Sequence, residues 1–85
     1  MKYKVAIADD HKIIRLGLQA TLAMYPDLEI VIEASDGFLL LKALKSQPVD
    51  LILLDLKMPY KSGYETLKAI RLTNQTVKIL IAHYA

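Results

Sequence analysis

The stretch that most constrains this chain is Val49 to Gly63, V-D-L-I-L-L-D-L-K-M-P-Y-K-S-G. The apolar run Leu51 to Leu54 ends on a single carboxylate, Asp55, and then on Leu56-Lys57-Met58-Pro59. An apolar run this short, closed by a proline turn, reads as a strand buried on both faces. Such strands belong mostly to parallel sheets covered by helices. In open parallel sheets, ligands collect at the carboxyl ends of the strands. A lone Asp at that end is therefore expected to face the ligand crevice.

The rest of the chain supplies the partners that such a strand needs. Lys2 to Ala8 reads as a first strand ending on Asp9-Asp10-His11. Asp10 is the expected N-cap of a helix from His11 to Met24. Its inner face is expected at Ile13, Leu16, Ala20 and Ala23, with Ile14, Leu18 and Leu22 beside them. Gly17 inside that helix points to close packing. Leu28 to Ala34 is a second, β-branched strand, followed by the turn and cap Ser35-Asp36-Gly37. A helix over Phe38 to Lys45 buries Leu40, Leu41 and Leu44. Phe38 and Leu39 fall outside this stripe, either packed on a neighbouring loop or forming a docking patch. Ser62 caps a third helix, Gly63 to Leu72, with Leu67 and Ile70 inward, and Val77 to Ala82 is a fourth strand. The order β-α-β-α-β-α-β predicts an α/β fold with a parallel, doubly wound sheet and right-handed crossovers.

Composition narrows the function classes. At 85 residues the chain is one small domain, and 54% hydrophobic residues exclude disorder. No apolar run reaches the roughly 20 residues that span a bilayer. No signal peptide is visible in Met1-Lys2-Tyr3-Lys4, and without cysteine there are no disulfides, so the cytoplasm is the expected compartment. A net charge of +2 is too weak to argue for nucleic acid. Tyr60, Tyr64 and Tyr84 form no stacking platform, and Lys61, Lys68, Arg71 and Lys78 read as solvated faces.

Two strands end in acids: Asp9 and Asp10 on the first, Asp55 on the third. If these strands are neighbours, three carboxylates converge and repel one another unless a cation sits among them. Mg²⁺ suits such a set, being a hard ion with oxygen ligands. One carboxylate then serves as nucleophile toward a phosphoryl group, and Asp55 is the candidate. His11 is expected to be exposed near this crevice.

The chain closely resembles the receiver domain of two-component response regulators, the CheY-like or flavodoxin-like fold. The matching pieces are Ala8-Asp9-Asp10-His11, Glu33-Ala34-Ser35-Asp36-Gly37, Pro48 to Pro59, and Ser62-Gly63. Ala8-Asp9-Asp10-His11 with Arg15-Leu16-Gly17-Leu18 looks like the receivers that precede LuxR-type helix-turn-helix domains. The resemblance implies strand order 2-1-3-4. It implies Asp55 as phosphoacceptor, charged by a phosphohistidine of a sensor histidine kinase. It implies Mg²⁺ on Asp9, Asp10, Asp55 and the backbone carbonyl of Lys57. Met58, Pro59 and Gly63 would shape the loop near the phosphate. The implied module carries a signal to an output DNA-binding domain; it is not a turnover enzyme and binds no nucleic acid itself.

The chain also departs from the family. A whole receiver continues with a fourth helix, a fifth strand and a fifth helix, so residues 1–85 are expected to be a partial, truncated receiver without the lysine that ends strand five. Strand four then becomes a bare edge, and the sheet face of strands one and three lies uncovered. A homodimer through either surface is expected. Where receivers carry Ser or Thr at the end of strand four, spacing puts His83, or Ala82 in a slipped register. His83 is either a hydrogen-bond donor to the phosphate when protonated or a plain terminal histidine. The alternative reading is a pseudo-receiver, a protein-interaction module independent of phosphorylation. An aspartyl phosphatase is disfavoured because Lys57 stands where a second acid would act. A flavodoxin is disfavoured because no phosphate loop follows strand one.

Overall fold

The computed structural model describes residues 2–82. The elements are β1 (Tyr3–Ala8), α1 (Lys12–Leu22), β2 (Leu28–Ala34), α2 (Gly37–Leu44), β3 (Leu51–Asp55), α3 (Gly63–Thr73) and β4 (Lys78–Ala82). The four strands form one parallel sheet in the order β2-β1-β3-β4. The chain moves one way along the sheet from β1 to β2 and the other way afterwards. Right-handed crossovers then place α1 on one face and α2 and α3 on the other.

The main core lies under α2 and α3. Ala6, Ala8, Ile32, Ala34, Ile52 and Leu54 of the sheet meet Leu40 of α2 and Ile70 of α3, with Met58 and Val77 closing the cluster. In α2, Leu41 and Leu44 are half-buried, as the expected stripe requires, while Phe38 and Leu39 are exposed. Lys61 of the loop after β3 lies with its Nζ 5.3 Å from the centre of the Phe38 ring, a cation–π contact that answers part of the Phe38 question. In α3 the inner face is Gly63, Thr66 and Ile70, with Leu67 half-buried. Thr66 is accommodated because its hydroxyl donates to the Ser62 carbonyl at 2.8 Å.

Several expectations are corrected. No residue of α1 is fully buried. Its inward side carries the half-buried Ile14, Leu18 and Leu22, while Ile13 (79% exposed) and Leu16 face solvent, as do Ala20 and Ala23. Apolar residues on almost every side of this helix left its inner face ambiguous. A Cβ on Gly17 would meet nothing within 4 Å, so close packing is not the reason for that glycine. The N-cap of α1 is His11, not Asp10, and it makes no side-chain cap bond. Arg71 is not simply solvated: its guanidinium donates to the carbonyl of Val77 at 2.7 Å, tying α3 to the start of β4. The outer face of β1 is covered, with Val5 and Ile7 fully buried, because β1 lies inside the sheet between β2 and β3. Exposure grows toward β4: Leu51 and Leu53 are half-buried, and Leu80 is 60% exposed.

Candidate functional site: acids gathered at the strand ends

The register between β1 and β3 builds the site. Ala8 pairs with Leu54, so the next residues, Asp9 and Asp55, leave adjacent strands at the same level. Both are 2% exposed, an unusual depth for carboxylates. Asp10 is more open, with a third of its side chain exposed.

Each acid is held differently. Asp9 Oδ1 accepts from the backbone N–H of His11 at 2.8 Å and meets His11 Nδ1 at 2.7 Å. Its own carbonyl accepts from the Arg15 guanidinium one turn into α1. Asp55 Oδ1 accepts from the Lys57 backbone N–H at 3.1 Å, which folds the chain back after β3. Asp55 Oδ2 is buried and has no hydrogen-bond partner among the described residues. The loop is pinned from behind: Gly63 N–H donates to the Leu56 carbonyl at 3.0 Å. A Cβ on Gly63 would fall 2.3 Å from the Asp55 carbonyl oxygen, so only glycine allows this approach. Ser62 and Glu65 then start α3 with a reciprocal capping box.

His11 closes the pocket. Its Nδ1 lies 3.1 Å from Asp10 Oδ1 and 3.7 Å from Asp55 Oδ2, in addition to the Asp9 contact. The hydrogen bond with Asp9 above all, and then the charges of Asp10, Asp9 and Asp55, hold its pKa above the ordinary 6.5 against a pull from desolvation. One donor atom from each of Asp9, Asp10, His11 and Asp55 lies within 4.8 Å of the others. The free Asp55 Oδ2 and this tight oxygen set fit a small hard cation. His11 was foreseen only as an exposed neighbour; its place directly after two acids was the available signal. Met58 is buried in the core, Pro59 is exposed, and neither side chain joins the donor set. Ala82 pairs with Asp55 and brings no hydroxyl, and His83 lies outside the described residues. A separate concavity lies between α2 and α3, lined by Phe38, Leu41, Ile70 and Val77 among others, and contains none of these acids.

The sequence profile of the response regulator receiver domain matches residues 5–83. The chain belongs to that family. This receiver is 39% identical over 79 residues to the nitrate/nitrite response regulator protein NarP of Escherichia coli K12, covering 93% of the chain and 37% of that relative. It is 37% identical to the transcriptional regulatory protein YhcZ of Bacillus subtilis, covering 96% of the chain and 39% of the relative. Among solved structures, a LuxR-family two-component response regulator from Aurantimonas superposes with a TM-score of 0.92 at 26% identity, covering 100% of the receiver and 61% of that chain. RcsB from Salmonella enterica serovar Typhimurium, bound to promoter rprA in the presence of the phosphomimetic BeF3-, gives 0.90 at 27% identity, covering 98% and 48%. The receiver therefore spans well under two thirds of its curated relatives. The expected flavodoxin-like sheet order is the observed one. No described helix is long and apolar enough to cross a membrane.

Proposed function

We propose that this receiver accepts a phosphoryl group on Asp55 Oδ2 from the phosphohistidine of a sensor histidine kinase in the cytoplasm. The observation that carries this reading is the buried Oδ2 without a partner, facing a cluster of donors. Oδ2 supplies the electron pair that forms the O–P bond as the P–N bond of the phosphohistidine breaks. The departing imidazole nitrogen keeps the P–N pair and takes a proton from water. Asp55 Oδ1 stays on the Lys57 N–H throughout, which fixes the direction of attack. Asp9, Asp10, Asp55 and the Lys57 carbonyl would hold Mg²⁺, which supplies charge neutralisation at the phosphoryl oxygens. The module carries a signal and does not turn over a substrate. Its downstream partner is a DNA-binding output domain, as the promoter-bound RcsB relative suggests.

The test is fluorescence- or NMR-detected binding of beryllofluoride with Mg²⁺. Saturable binding that disappears in Asp55→Asn is expected. A well-folded chain that never binds beryllofluoride would instead be a phosphorylation-independent interaction module.

A further inference from the structure

We propose that His11 is a fourth ligand of the acidic pocket, and that it lets the pocket take a zinc-class transition ion as well as magnesium. The inference rests on the pocket of the proposed function but concerns a different residue and a different ion. Three observations carry it.

First, His11 Nδ1 lies close to an oxygen of each of the three acids. It stands 2.7, 3.1 and 3.7 Å from one oxygen each of Asp9, Asp10 and Asp55. Metal–ligand bonds of about 2.0–2.2 Å put neighbouring donors of one ion roughly 3.0–3.4 Å apart; the 3.1 Å pair already fits, and the 2.7 and 3.7 Å pairs lie a few tenths of an ångström to either side. Second, Asp55 Oδ2 is buried, unpartnered and part of that set, so it has a valence to give. Third, His11 occupies the N-cap of α1 but its side chain caps no helical N–H. It turns back over the acids instead, where its hydrogen bond with Asp9 keeps Nδ1 inside the donor set.

The chemistry follows from ligand type. Three carboxylates alone make a hard oxygen site that suits magnesium. One imidazole shifts the set toward zinc, nickel and copper, which accept nitrogen readily where magnesium does not. His11 therefore adds affinity for a borderline ion and nothing for magnesium.

Calorimetric titrations with Zn²⁺ alone and with Mg²⁺ alone, on the full chain, His11→Ala and Asp55→Asn, separate these roles. Circular dichroism confirms folding, which the half-exposed His11 side chain does not threaten. Repeating the pair on a His83→Ala background removes the only other imidazole. Loss of the ligand should weaken Zn²⁺ roughly tenfold or more and leave Mg²⁺ within about twofold. A smaller loss for Zn²⁺, an equal loss for both ions, or no Zn²⁺ binding by the unaltered chain overturns the proposal. Asp55→Asn reads the other question: Mg²⁺ binding indifferent to that change sinks the phosphoacceptor pocket, whatever His11 does.

Discussion

At the residue scale, His11 has a measurable consequence. Its imidazole faces Asp9, Asp10 and Asp55, with Arg15 engaged on the Asp9 carbonyl behind them. Its folded pKa is raised. A raised histidine pKa contributes stability that is fully present below the unfolded value, about 6.5, and is lost as pH rises through the folded value. In chelator-containing buffer the chain should lose stability across that window, and His11→Ala should not. An NMR titration of the imidazole reads the midpoint directly; a midpoint at or below 6.5 would contradict the geometry. The three acids themselves were legible as a set, because strand ends and family motif both pointed to them. The role of His11 was not, since a histidine at a helix start looks the same in sequence whether it caps, dangles or turns back. Tyr60 was equally hidden: its left-handed φ of 66° in the loop after β3 leaves no mark on residue choice.

At the element scale, α1 and α3 contrast. The start of α3 was readable because Ser62 and Glu65 sit at capping-box spacing, and both halves of the box form. The inner face of α1 was not readable, because apolar side chains point in nearly every direction along it. Its N-cap was misassigned to Asp10 because an acid at a strand end serves a site as readily as a helix. Gly17 offers a test of how weakly α1 is held. It is exposed, helical and free of any neighbour a methyl group would strike. Gly17→Ala should therefore stabilise the chain by about 0.5–1 kcal/mol, read as a higher denaturation midpoint with an unchanged slope. A lower midpoint would show that the glycine serves a purpose that the helix geometry does not reveal.

At the scale of the whole molecule, crowding three carboxylates opposes folding, and a cation bound among them would offset that opposition by mass action. At ten times its dissociation constant, Mg²⁺ should add about 1.4 kcal/mol. For a domain of this size that is a rise in Tm of about 6–11 °C. Scanning calorimetry of the native chain and of Asp55→Asn checks it; equal rises in both would place the ion elsewhere. The sheet edge makes a second expectation. β4 pairs only with β3 among the described residues and exposes Leu80 and Ile81, a pattern that favours pairing with a second copy. Sedimentation should show concentration-dependent association that Leu80→Lys reduces; an unchanged profile would remove the edge as its cause. Finally, the tether from the Lys57 amide to one oxygen of Asp55 breaks the symmetry of a group whose two oxygens are interchangeable in water. An acyl phosphate formed here, as proposed, would have a single regiochemistry, with its carbonyl oxygen anchored to the loop and its bridging oxygen toward the pocket. A phosphoryl group accepted here would thus be presented to the pocket in one orientation, with no second oxygen competing for it.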